Sequence, residues 1–110
     1  MTRALLLFTL AAVLEIGGCF AFWMWLRRDA TPLWLLAGTL SLIGFAMMLA
    51  HVPTAFAGRA FAAYGGVYIV MSLAWLWGIE GERPTTADSA GAAIALIGAL
   101  VIVAFGSTGR

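Results

Sequence analysis

A bundle of four membrane-spanning helices, built as one domain, is what this sequence predicts. Composition comes first: 64% of the 110 residues are hydrophobic and only 10% charged, with a mean hydropathy of +1.03. That lies outside the range of soluble domains. Short polar breaks then divide the chain into four apolar segments, near 5–26, 32–50, 60–78 and 86–105. At about 1.5 Å per residue each is long enough to cross a hydrocarbon core of about 30 Å. The segments are also continuous apolar runs, not the alternating pattern of barrel strands.

The first segment carries one charged side chain, Glu15, near its middle. The carboxylate falls close to the membrane midplane, where leaving it charged and unpartnered costs roughly 3 kcal/mol or more. Phe8, Ala11, Ala12, Gly18, Cys19 and Phe22 share its helix face. Small residues flank the acid and aromatics close the face above and below. One reading is a protonated Glu locked between packed helices; the favoured one is a site for a proton or a cation. Arg3 before an apolar run resembles the start of a signal peptide. The length of the run, the central acid and the Arg27–Arg28 flank indicate a retained helix instead.

Trp23 and Trp25 followed by Arg27 and Arg28 mark a lipid–water boundary. Thr31 reads as the N-cap of the second helix and Pro32 as its first residue. Ala37, Ser41, Gly44 and Met48 line one side of that helix, as close membrane packing requires. Pro53 breaks the pattern in the 51–59 loop. In the third helix Tyr64 and Tyr68 share a face that Ser72 and Trp75 continue, while Gly65–Gly66 allows a close contact or a bend. Thr85 and Asp88 form a capping-box pattern before the fourth helix. Gly91, Ala95 and Gly98 make a smooth stripe along it, suited to helix–helix contact between subunits.

With helices of this number, both termini and the 51–59 loop share one side of the membrane. Arg3, Arg59 and Arg110 fall there, and Arg27, Arg28 and Arg83 on the other. The positive-inside signal is therefore balanced, and insertion in both orientations is expected. All five tryptophans, Trp23, Trp25, Trp34, Trp75 and Trp77, lie toward the second side, so an antiparallel pair would place a Trp belt at each face. The lone Cys19 allows no intrachain disulfide. With one His and no Lys, nothing points to an enzyme, a metal site, a cofactor or nucleic acid.

From Leu14 to Phe20 the chain reads Leu-Glu-Ile-Gly-Gly-Cys-Phe, and from Gly58 it reads Gly-Arg-Ala-Phe-Ala-Ala-Tyr-Gly-Gly-Val-Tyr. Both stretches resemble the YnfA family of small bacterial inner-membrane proteins, and the similarity runs through essentially the whole chain. That family in turn resembles the small multidrug resistance transporters, antiparallel dimers of four-helix subunits that exchange protons for hydrophobic cations or guanidinium compounds. The resemblance implies that Glu15 holds the acidic position, with Gly18 beside it and Tyr64 as the substrate-lining aromatic. It also implies that Gly91 and Gly98 form the dimer contact. Arg59 stands where those transporters have an apolar residue; it is expected either at the site entrance, where it would set selectivity, or at the lipid interface, reaching to phosphate.

The expected activity is exchange of protons for small or hydrophobic cations at a shared Glu15 pair, with Tyr64, Tyr68 and Trp75 supplying aromatic faces. The alternatives are a channel with Glu15 and Arg59 as selectivity groups, or a structural membrane subunit locked by Glu15.

Overall fold

The computed structural model describes residues 2–53 and 56–106. Its helices are α1 (Thr2–Arg27), α2 (Leu33–Ala50), α3 (Ala57–Gly78) and α4 (Thr86–Phe105). All four are long and apolar enough to cross a membrane. Leu33, Leu36 and Leu40 on α2, and Ile94 and Ile97 on α4, stand more than half exposed. Apolar surface on that scale suits lipid rather than water. Space and sequence are ordered differently: α1 packs against α2 and α3, and α3 packs against α4. The result is a slab, 49 × 33 × 20 Å, two helix diameters thin.

Small residues set the crossings. Where α1 meets α2, a Cβ on Gly18 would sit 3.0 Å from the Gly38 carbonyl oxygen. One on Gly38 would sit 2.9 Å from that of Gly18. Backbone lies against backbone, as membrane helix pairs favour. Ser41 tightens the same interface by donating its hydroxyl to the Leu14 carbonyl at 2.6 Å. Gly66 plays the corresponding part between α3 and α4, with the Ala95 carbonyl oxygen 2.7 Å from its would-be Cβ. Between α1 and α3 the seam is Phe8, Ala11 and Ala12 against Ala60, Ala63, Tyr64 and Val67, capped by Val52 from the loop.

The helix ends answer to local chemistry. Thr85 and Asp88 form the expected capping box: the Thr85 hydroxyl accepts from the Asp88 N–H at 3.0 Å, and the Asp88 carboxylate accepts from the Thr85 N–H at 2.9 Å. At α2 the expectation shifts by one residue. Pro32, with φ −61°, takes the cap position and Thr31 provides only a backbone carbonyl, to the Trp34 N–H. His51 closes α2 by donating its ring Nδ1–H to the Met47 carbonyl at 2.6 Å. Two left-handed residues end α1 and α3 alike. Asp29 (φ 53°) and Gly81 (φ 76°) turn the chain so that the next N–H reaches back, Ala30 to Met24 and Glu82 to Leu76. The third helix starts at Ala57, three residues before its expected start. Burial of Ala60 against the seam draws its first turn, which includes Arg59, into the helix.

Gly65 and Gly66 are neighbours with opposite surroundings, since nothing lies within 4 Å of a Cβ on Gly65. Gly66→Ala should destabilise the bundle by about 1–3 kcal/mol through overpacking against backbone. Gly65→Ala should stabilise it by up to about 1 kcal/mol through helix propensity. Unfolding of both variants by denaturant in mixed micelles measures the two signs.

Candidate functional site

Helical rise puts Glu15 midway along α1, and the small residues of the α1–α3 seam bring Tyr64 to it. The Tyr64 hydroxyl donates to Glu15 Oε1 at 2.6 Å, the short distance of a hydrogen bond to a carboxylate. Tyr64 itself is 7% exposed. Three rings hold it in place: Phe8 at 6.0 Å between centroids, Phe45 at 5.8 Å and Tyr68 at 5.9 Å, the last edge-on. A phenol so packed cannot swing away from the acid without repacking its neighbours.

Below this pair, toward the 51–56 loop, lies a cavity of about 720 Å³. Glu15 and Tyr64 supply its polar side chains, and Phe45, Leu49, Ala60 and Phe61 are among its apolar walls. Its size and its sparse, convergent polar groups suit a small ligand. A second cavity of about 290 Å³ lies further along α1 and α3, lined by Tyr68 and Trp75 among others. Because Tyr64 lines one cavity, Tyr68 lines the other and their rings touch, the two tyrosines form the partition.

A single hydrogen bond leaves Glu15 under-compensated as an anion. A hydrogen bond to a charged group contributes about 1.5–3 kcal/mol, on central values less than the roughly 2.5–3.5 kcal/mol that a carboxylate costs at mid-membrane. Glu15 lines the cavity, where a proton or a cation can complete the balance. Among the described residues no group of three His, Cys, Asp or Glu side chains is placed to hold a metal ion.

The remaining candidates fall elsewhere. Gly18 serves the α1–α2 crossing and lines neither of these two cavities. Trp75 stands in the second cavity, edge-on to Phe20 at 5.4 Å. Ser72 spends its hydroxyl on the Tyr68 carbonyl at 2.8 Å. Arg59 is absent from the lining of the Glu15 cavity. Its side chain lies at the end of α4, with Cδ and Nε 3.1 Å from where a Gly106 Cβ would sit, and its guanidinium is 5.6 Å from the Phe56 ring. The last turn of α4 has no basic residue of its own, so Arg59 brings positive charge to that helix C-terminus. On α4, Gly91 and Gly98 face open space, whereas the Ala95 backbone carbonyl and the Ala99 side chain meet Gly66.

Phe45 was not singled out in the sequence. Its position, four residues after Ser41, was the available signal, since Ser41 already marked the side of α2 that meets α1. Glu80, just past the end of α3, lines the second cavity.

The pattern of the family described as "Uncharacterised BCR, YnfA/UPF0060 family" matches residues 1–108. A UPF0060 membrane protein of Ectopseudomonas mendocina (strain ymp) is 59% identical over 96 residues, covering 87% of this chain and 87% of that protein. No solved structure matches the chain. With four apolar helices and a match that runs nearly end to end, this multi-pass membrane protein belongs to the YnfA/UPF0060 family.

Proposed function

We propose that the protein exchanges protons for small hydrophobic cations across a bacterial inner membrane, with Glu15 as the group that proton and cation share. The observation that carries this reading is the Glu15–Tyr64 hydrogen bond at 2.6 Å, set at mid-helix on the wall of a 720 Å³ apolar cavity. Such a carboxylate is stable at that depth with a proton or with a cation, and loading one expels the other. The aromatic rings around it offer faces to a cation that has shed its water. Two cavities parted by Tyr64 and Tyr68 support alternating access more than an open pore. The place of Arg59 at the end of α4 withdraws the support it would have lent to a channel selective by charge.

The working unit in this proposal is an antiparallel homodimer in which two Glu15 side chains converge on one shared site. The open Gly91 and Gly98 face supports it, as does the balance of arginines on the two sides of the membrane.

Glu15→Gln keeps shape and loses the ionisable group, so it should abolish pH-gradient-driven cation uptake into proteoliposomes while the protein still inserts and folds. Tyr64→Phe removes one donor and keeps the packed ring. It should slow uptake roughly tenfold or more, in line with loss of about 1.5–3 kcal/mol from a charged hydrogen bond, without abolishing it. Wild-type uptake by Glu15→Gln contradicts the proposal.

Two lysines added after Arg110 should bias insertion to one orientation and lower activity. Co-expression of an oppositely biased copy should restore it. Labelling of a C-terminal cysteine from one side of the membrane only, in the otherwise unaltered chain, would contradict dual insertion.

A further inference from the structure

We propose that the 290 Å³ cavity at the Trp-rich end of the bundle is a second binding site, for a small organic cation, with Glu80 as its counter-charge. It is separate from the Glu15 chamber, and binding there does not require exchange at Glu15. Four observations converge on this chemistry. The walls are aromatic, with Phe20 and Trp23 from α1 facing Tyr68 and Trp75 from α3, and Glu80 the lining acid. Among the described residues no basic side chain forms an ion pair with Glu80, so its charge is available to a ligand. The last turn of α3 has no basic residue, and the nearby Arg83 lies over the Trp77 ring at 5.9 Å, outside the lining of this cavity. Finally, the Trp23 ring already carries a guanidinium, that of Arg27, at 4.4 Å from its centroid. A lining ring of this cavity thus engages a cation in the folded chain.

Size narrows the ligand. The volume lies at the small end for ligand sites, which run from roughly 300 to 1,000 Å³, and so fits a single aryl-ammonium or alkyl-ammonium head. Trp75 Nε1 is buried with no hydrogen-bond partner among the described residues.

Cys19 also lines this cavity and is the one cysteine of the chain, which makes it a built-in reporter. In the full-length protein in detergent, the thiol would be modified with a methanethiosulfonate bearing a trimethylammonium group and, separately, with a neutral methanethiosulfonate. In each case the Cys19 thiolate forms a disulfide with the reagent and methanesulfinate leaves. After correction for rates with a free thiol, the cationic reagent should react faster. Glu80→Gln should lower that advantage roughly threefold to fivefold, as loss of an exposed charge pair implies. Glu82→Gln, one turn of loop away and outside the lining, should leave it unchanged.

Phenyltrimethylammonium should slow labelling of the wild type, and Glu80→Gln should require several-fold more of it. Glu15→Gln should remain protected. Protection that persists in Glu15→Gln while wild-type proteoliposomes show no coupled uptake would leave this site standing and remove the exchange reading. Failure of Cys19 to react, an equal advantage in Glu80→Gln and wild type, or protection lost with Glu15→Gln would each overturn the second site.

Discussion

A carboxylate at the middle of a membrane helix must have a partner, and the arrangement around Glu15 follows from that requirement. Tyr64 supplies the partner at 2.6 Å, and three aromatic rings keep Tyr64 where it is. Phe45 reaches this cluster from α2, so three of the four helices contribute to one hydrogen bond. The bond is too weak to make a bare anion comfortable at that depth. This shortfall is what gives the acid a use: the proposed exchange needs a carboxylate that must always carry something, and whose load can change.

The crossings explain how the partner arrives. Gly18 against Gly38 brings α1 and α2 to backbone contact, and Gly66 against Ala95 does the same for α3 and α4. Alanines along α1 and α3 close the seam between the two pairs. With bulk removed from the interfaces, the large side chains are left to fill the levels above and below Glu15. That separation produces two chambers with a tyrosine partition instead of one packed core. It also leaves α2 and α4 as the outer members of a thin slab, each with an apolar face toward lipid and, on α4, the open Gly91 and Gly98.

Much of this was legible in the sequence, and the reasons differ by residue. The helices follow from hydropathy alone, and the Thr85–Asp88 box from side chains that act within four residues. Glu15 stood out because a lone charge in an apolar run has few physical excuses. Tyr64 and Tyr68 were visible as a stripe, but pairing Tyr64 with Glu15 is a tertiary fact across 49 positions. Glycines were the hardest to read. Both Gly65 and Gly66 suggested close approach, and only the rotation of α3 decides that Gly66 has it. Gly38 lies one position from the stripe of Ala37 and Ser41, and only the α1–α2 crossing brings it to Gly18. The place of Arg59 depends on where α3 begins. Once the helix begins at Ala57, Arg59 turns to the end of α4 and away from the Glu15 cavity.

The central claim is that Glu15 carries a proton that a cation displaces. Purified protein in weakly buffered detergent solution, challenged with a hydrophobic cation while pH is followed by an indicator dye, measures that exchange directly. The account predicts a saturable release of protons on cation addition in the wild type and none in Glu15→Gln. Cation binding without proton release in the wild type, or equal release from both proteins, would contradict it.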